Sequence, residues 1–190
     1  MLNRRTTLAL AAGAALPLPA FAQGVPVWRP TRPIRLIVPF APGGSNDIVG
    51  RIVAEAAGPL IGQTIVIENR AGAGSTIGAE AVARAPADGY TLLINSAHSA
   101  VPAVMARVPY DTLRDFTGIA VAGFSPHVIA VGPAMPVTDA AGLLAALRER
   151  PGHYNCATAG RGSGVHAAEE LFRAVTRTQF EMVHYRGGGR

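Results

Sequence analysis

Three short stretches combine glycine with hydroxyl and amide side chains: Pro42-Gly43-Gly44-Ser45-Asn46-Asp47, Ala71-Gly72-Ala73-Gly74-Ser75 and Ala159-Gly160-Arg161-Gly162-Ser163-Gly164. Each follows an apolar run and precedes a helix-like pattern, so each reads as a strand-to-helix corner. Backbone N–H groups at a helix start, with the positive end of the helix dipole, attract anions. Glycine lets a small anion approach the main chain, and serine or asparagine adds side-chain donors. One such corner is explained by the tight turn it makes. Three in line with strand ends point to binding, because ligands of parallel α/β sheets sit outside the carboxyl ends of the strands.

Other chemistries fit poorly. The run from Gly72 to Gly78 is one residue too long for G-x-G-x-x-G, and no G-K-[ST] follows any glycine run, which disfavours nucleotides. Ser45 and Ser163 each have glycine directly before them, unlike the G-x-S-x-G elbow of a serine hydrolase. The histidines at 98, 127, 153, 166 and 184 are dispersed, and no H-E-x-x-H occurs, so no metal is assigned. No cofactor is expected. His98, after a strand end, is a better pocket candidate than His166, which is expected to face solvent or an interface between lobes. Glu169 and Glu170 read as a solvated helix face, and Asp47 with Arg51 as an i,i+4 pair supporting a helix. Cys156, the one cysteine, reads as a small hydrophobe in a buried strand.

The elements that must position these corners follow from apolar spacing. Residues 34–38 predict a strand, and Ile48, Val49, Ile52, Val53 and Ala56 share a helical face that Gly58-Pro59 is expected to stop. A β-branched strand at 64–67, a helix ending near Ala85, a turn at Asp88-Gly89 and a strand at 90–94 complete a β-α-β-α-β unit. Residues 95–124 predict loop and short helix. A second unit then reads as a strand at 128–131, a helix from Thr138 as N-cap to Arg148, and a turn at Pro151-Gly152. A strand at 154–158, a helix at about 163–175 and a strand at 180–185 follow. The alternation predicts an α/β fold with parallel sheets. The expected division is a leader at 1–22, a first α/β lobe at 23–124 and a partial second lobe at 125–190.

Of 190 residues, 49% are hydrophobic and 15% charged, with a net charge of +5, and every basic side chain other than histidine is arginine. Such dispersed arginines predict mild attraction for anions and no nucleic-acid partner. Residues 1–22 have Arg4-Arg5, a short apolar run and the small-residue site Ala20-Phe21-Ala22, the pattern of a secretory signal peptide. The expected location is the periplasm, with twin-Arg export open beside the general route.

The blocks PIRLIVPFAPGGSNDIVGRIVAE, GQTIVIENRAGAGSTIGAEAVARAPADGYTLL, VPYDTLRDF and ATAGRGSGVHAAEELFRA, in this order, resemble the Bug-type receptors, the periplasmic solute-binding proteins of tripartite tricarboxylate transporters. The resemblance implies a two-lobed, type II periplasmic-binding-protein-like fold. Such a fold closes on a small organic acid (a di- or tricarboxylate, an acidic amino acid or an aromatic acid) and delivers it to membrane permease subunits. It implies a ligand site at Phe40, Gly43, Gly44, Ser45, Asn46 and Asp47 on one lobe. Thr158, Ala159, Gly160, Arg161, Gly162 and Ser163 face it from the other, and Ser96, His98 and Ser99 line the same cleft. A monomer without enzymatic activity is expected.

Two departures bear on function. Arg161 stands where family members usually carry a small or apolar residue, and can either point outward or anchor a second carboxylate. Family receptors also continue beyond Arg190, so a 190-residue product is expected to close its cleft incompletely and to bind weakly or be unstable. Alternatives left open are a ligand sensor presenting to a membrane kinase and an α/β enzyme using Ser45 or Ser163 as nucleophile.

Overall fold

The computed structural model describes residues 28–96, 101, 105 and 107–185, so the leader lies outside the described residues. Strand β1 (Ile34–Val38) leads into helix α1 (Ser45–Ile61), β2 (Ile65–Asn69), a 3-10 turn (Ala73–Ser75), α2 (Thr76–Ala83) and β3 (Thr91–Leu93). These strands form a parallel sheet in the order β2-β1-β3, with Leu36 beside Ile67 and Leu92. The central strand is the apolar one, as burial on both faces requires: Ile37 and Val38 are fully buried. Helix α1 approaches the sheet through Gly50, where a methyl group would touch Val38, Ile94 and Ile67.

The second sheet is smaller. Helix α3 (Ala140–Glu149), β4 (Asn155–Thr158), α4 (Gly164–Thr176) and β5 (Glu181–His184) follow in order, and β4 pairs with β5 in parallel, Thr158 beside His184. Leu147 of α3 and Phe180 before β5 are buried, and Phe172 of α4 lies 6.2 Å from Phe180, centroid to centroid.

The expected β-α-β-α-β order is present, with corrections. Helix α1 runs through Gly58-Pro59 and ends at Gly62, whose left-handed backbone (φ 72°) returns its N–H to the Gly58 carbonyl. Only glycine adopts that conformation cheaply, so Gly62 is the stop. Helix α3 is capped by Asp139, not Thr138: its Oδ1 accepts the Gly142 N–H at 2.7 Å. Residues 128–131 form no strand. Val128 and Ile129 are exposed, and among the described residues nothing pairs with them. β-branched composition supplies the propensity, but a ladder partner decides the strand.

Candidate functional site

At the 42–47 corner, Gly44 is the N-cap of α1 and has no side chain to cap it, so the first-turn N–H groups depend on other partners. Asp47, three residues into the helix and almost fully buried, organises what precedes it. Its Oδ2 accepts the Gly43 N–H at 2.9 Å and Arg51 Nε at 3.0 Å. Its Oδ1 accepts Arg51 Nη2 at 3.0 Å and Asn69 Nδ2 at 2.9 Å. The Arg51 hydrogen bond first, then that of Gly43, draws the carboxyl pKa down to about 2. Asn69, at the end of β2, also reaches the Phe40 carbonyl, so one amide fastens two strand ends to the corner. Asn46 Nδ2 lies 3.3 Å from Ser96 Oγ.

The 158–163 corner has a parallel construction. Ser163 caps α4, its hydroxyl accepting the His166 N–H at 3.1 Å. His166, expected to face solvent or an interface between lobes, is 3% exposed and so does not face solvent, and its Nδ1 accepts the Gly162 N–H at 3.0 Å. The ring stands edge-on to His184, 4.9 Å away. Burial chiefly, with the neighbouring His184 charge and that of Arg161, lowers its pKa. Thr158, buried at the end of β4, accepts the Gly160 N–H through Oγ1 at 3.3 Å.

Glu169 also differs from expectation, since it is buried against β4. Cys156 Sγ donates to its Oε1 at 3.4 Å, while Oε2 has no partner among the described residues. Desolvation raises the Glu169 pKa and pushes the Cys156 thiol up to about 11, so the cysteine is a protonated, half-buried packing group.

The 71–75 corner joins the other two. Gly72, Ala73, Gly74 and Ser75 all have positive φ, at 134°, 44°, 63° and 76°. For alanine and serine that conformation costs energy and persists only where the surroundings impose it. The imposing contact is with the 158–163 corner. A Cβ on Gly74 would overlap the Arg161 carbonyl oxygen outright, and one on Gly162 would lie 2.7 Å from the Gly74 carbonyl oxygen.

Between these corners lies a cleft of about 420 Å³. Pro39 and Phe40 after β1, residues 71–75 with Ile77, residues 159–161, and His184 with Tyr185 at the end of β5 line it. Of the expected site residues, Phe40, Ala159, Gly160 and Arg161 line this space. Thr158, Gly162 and Ser163 build the corner behind it. Gly43, Gly44, Ser45, Asn46, Asp47 and Ser96 form a neighbouring cluster that does not line it, and within that cluster the Gly43 N–H and the Asp47 carboxylate are spent on each other. His98 and Ser99 lie outside the described residues. Sequence reasoning named the 71–75 corner but left it out of the site, and it missed Asn69, His184 and Tyr185. The run of Gly-Ala-Gly-Ser, which needs left-handed backbone, was the available signal for the first of these. Among the described residues, no group of three His, Cys, Asp or Glu side chains is arranged to hold a metal.

Two parallel sheets whose strand ends face a common cleft define an α/β binding fold of the periplasmic-binding-protein type, and solved structures agree. Rhodopseudomonas palustris MatC with bound malate superposes with a TM-score of 0.78 at 31% identity, covering 83% of this chain and 54% of that one. An R. palustris protein with adipate gives 0.74 at 36% identity, with the same two coverages. Residues 49–190 match the tripartite tricarboxylate transporter family receptors (TctC), and the chain belongs to that family. BugT of Bordetella pertussis is 38% identical over 163 residues, 84% of this chain and 50% of BugT. A protein from the tcbD-tcbE intergenic region of Pseudomonas sp. is 42% identical over 159 residues, 83% of this chain and 47% of that protein. The chain thus spans about half the length of the curated relatives it matches.

Proposed function

We propose that the protein is a periplasmic receptor that captures a small organic carboxylate in the cleft between its two α/β lobes and presents it to membrane permease subunits. The observation that carries this reading is the lining of the cleft. Among the described residues, backbone corners, apolar side chains, His184, Tyr185 and one arginine surround it, and no carboxylate does. Such a wall attracts an anion and holds it by main-chain donors. The malate and adipate bound by the two R. palustris proteins are acids of this size. A boundary near residue 125 divides the lobes, and the receptor acts as a monomer that closes about its ligand.

The protein is not an enzyme in this reading. Ser163 is engaged as a helix cap, and His166 Nδ1 already accepts the Gly162 N–H. Ser45 is exposed, with no histidine among its described partners. A thermal-shift series with malate, adipate and neutral analogues tests the proposal. A binding acid at 100 times its Kd adds about 2.7 kcal/mol of stability. Indifference to every carboxylate, together with turnover of an ester or phosphate, overturns the reading.

A further inference from the structure

Among the described residues that line the cleft, Arg161 alone carries a fixed charge. Five arginines around the first sheet are neutralised: Arg32 pairs with Asp88, Arg35 and Arg70 with Glu68, Arg51 with Asp47, and Arg84 with Glu80. Arg161 is exposed and, among the described residues, forms no ion pair or hydrogen bond through its guanidinium. Its main chain is nonetheless fixed, with the carbonyl abutting Gly74 and buried glycines on either side. A pinned backbone carrying an uncompensated cation at the edge of a cleft is the arrangement of a ligand anchor, since guanidinium pairs with carboxylate through two parallel hydrogen bonds.

We propose that Arg161 determines specificity by holding a second carboxylate, so that the cleft selects dicarboxylates over monocarboxylates of the same length. The inference rests on the receptor reading above and adds the ligand class to it. The first carboxylate takes main-chain donors of the corners, and the methylene chain between the two groups lies against Phe40 and Ile77, which line the same space.

Calorimetric titration of the purified protein with succinate against butyrate, and adipate against hexanoate, tests it in wild type, Arg161→Ala and Arg161→Lys. The wild type is expected to prefer one diacid over its matched monoacid by about tenfold or more, the worth of a charge-assisted pair. Arg161→Ala removes that preference by weakening the diacid alone, and Arg161→Lys, lacking the planar fork, keeps part of it. Because Arg161 is exposed, its variants are expected to melt with the wild type. An unchanged diacid affinity in Arg161→Ala, an equal loss for monoacid and diacid, or a wild type without preference overturns the inference while leaving the receptor reading standing. A wild type that binds none of the four acids overturns both.

Discussion

At the 42–47 corner the fourth residue after Gly43 is an aspartate; at the 158–163 corner the fourth residue after Gly162 is a histidine. Both reach back from the first turn of a helix to accept a glycine N–H, at 2.9 Å and 3.0 Å. One geometry is thus built twice with different chemistry. Asp47 is ionised, answered by Arg51 and Asn69, and its pKa near 2 leaves the corner indifferent to any physiological pH. His166 can accept only while neutral, and burial keeps it so. The first corner is therefore fixed, and the second is conditional. The carboxylates differ in the same sense, since Asp47 has both oxygens satisfied and Glu169 has one without a partner among the described residues.

The largest effect is expected at the fixed corner. Asp47→Ala removes four accepted hydrogen bonds and leaves Asn69 and the Gly43 N–H without their acceptor, costing about 3 kcal/mol. A urea midpoint within error of wild type would show that the carboxylate is not what holds this corner.

Gly74→Ala comes next. The added methyl meets the Arg161 carbonyl at a left-handed backbone position, so the two corners must separate, at a cost of about 2 kcal/mol. Hydrogen exchange at residues 72–75 and 159–163 should rise together; faster exchange on one side only would uncouple the corners.

The conditional corner predicts a smaller, pH-dependent term. A histidine whose folded pKa is lowered supports the fold above its unfolded value of about 6.5, and that support is lost as pH falls through the folded value. His184 and Arg161 lower that value and Glu170 opposes them, so all three remain in place during the test. Stability should drop over this acid window. In His166→Asn, which keeps an acceptor but does not titrate, the drop should vanish. A second decline, as pH falls through about 2, belongs to Asp47 and should persist in that variant.

The smallest effect is expected at Glu169. Its folded pKa is raised, so its contribution is present below about 4.5 and is lost as pH rises through the folded value. Glu169→Gln should therefore be stabilising by a few tenths of a kcal/mol at pH 8 and neutral or worse at pH 4. The same change in Tm at both pH values would remove the carboxyl from the account.

Much of this was legible in the residues. The apolar run at β1, interrupted only by the exposed Arg35, announces a largely buried strand, and Gly-Gly-Ser-Asn-Asp after it announces a corner. The Asp47–Arg51 pair followed from i,i+4 spacing alone, and so did its role in steadying α1. His166 was not legible: from sequence it is a polar residue early in an amphipathic helix, and nothing local says that its ring turns under the loop to meet Gly162. The strand expected at 128–131 failed for a related reason. A strand is a property of two segments, and one segment's composition cannot supply the other.

The sequence by itself determined the alternation of strands and helices and supplied glycine at most of the places where the backbone turns left-handed. Periodicity and the absence of a Cβ act within a few residues. It also determined, through its ordered blocks, the family. Only the tertiary structure decided that the 71–75 corner forms a wall of the cleft, that Gly74 rests on Arg161, and that Arg161 is the one described lining residue with a fixed charge. These are contacts between residues some ninety positions apart, and only the packing of the two sheets brings their chemistry together.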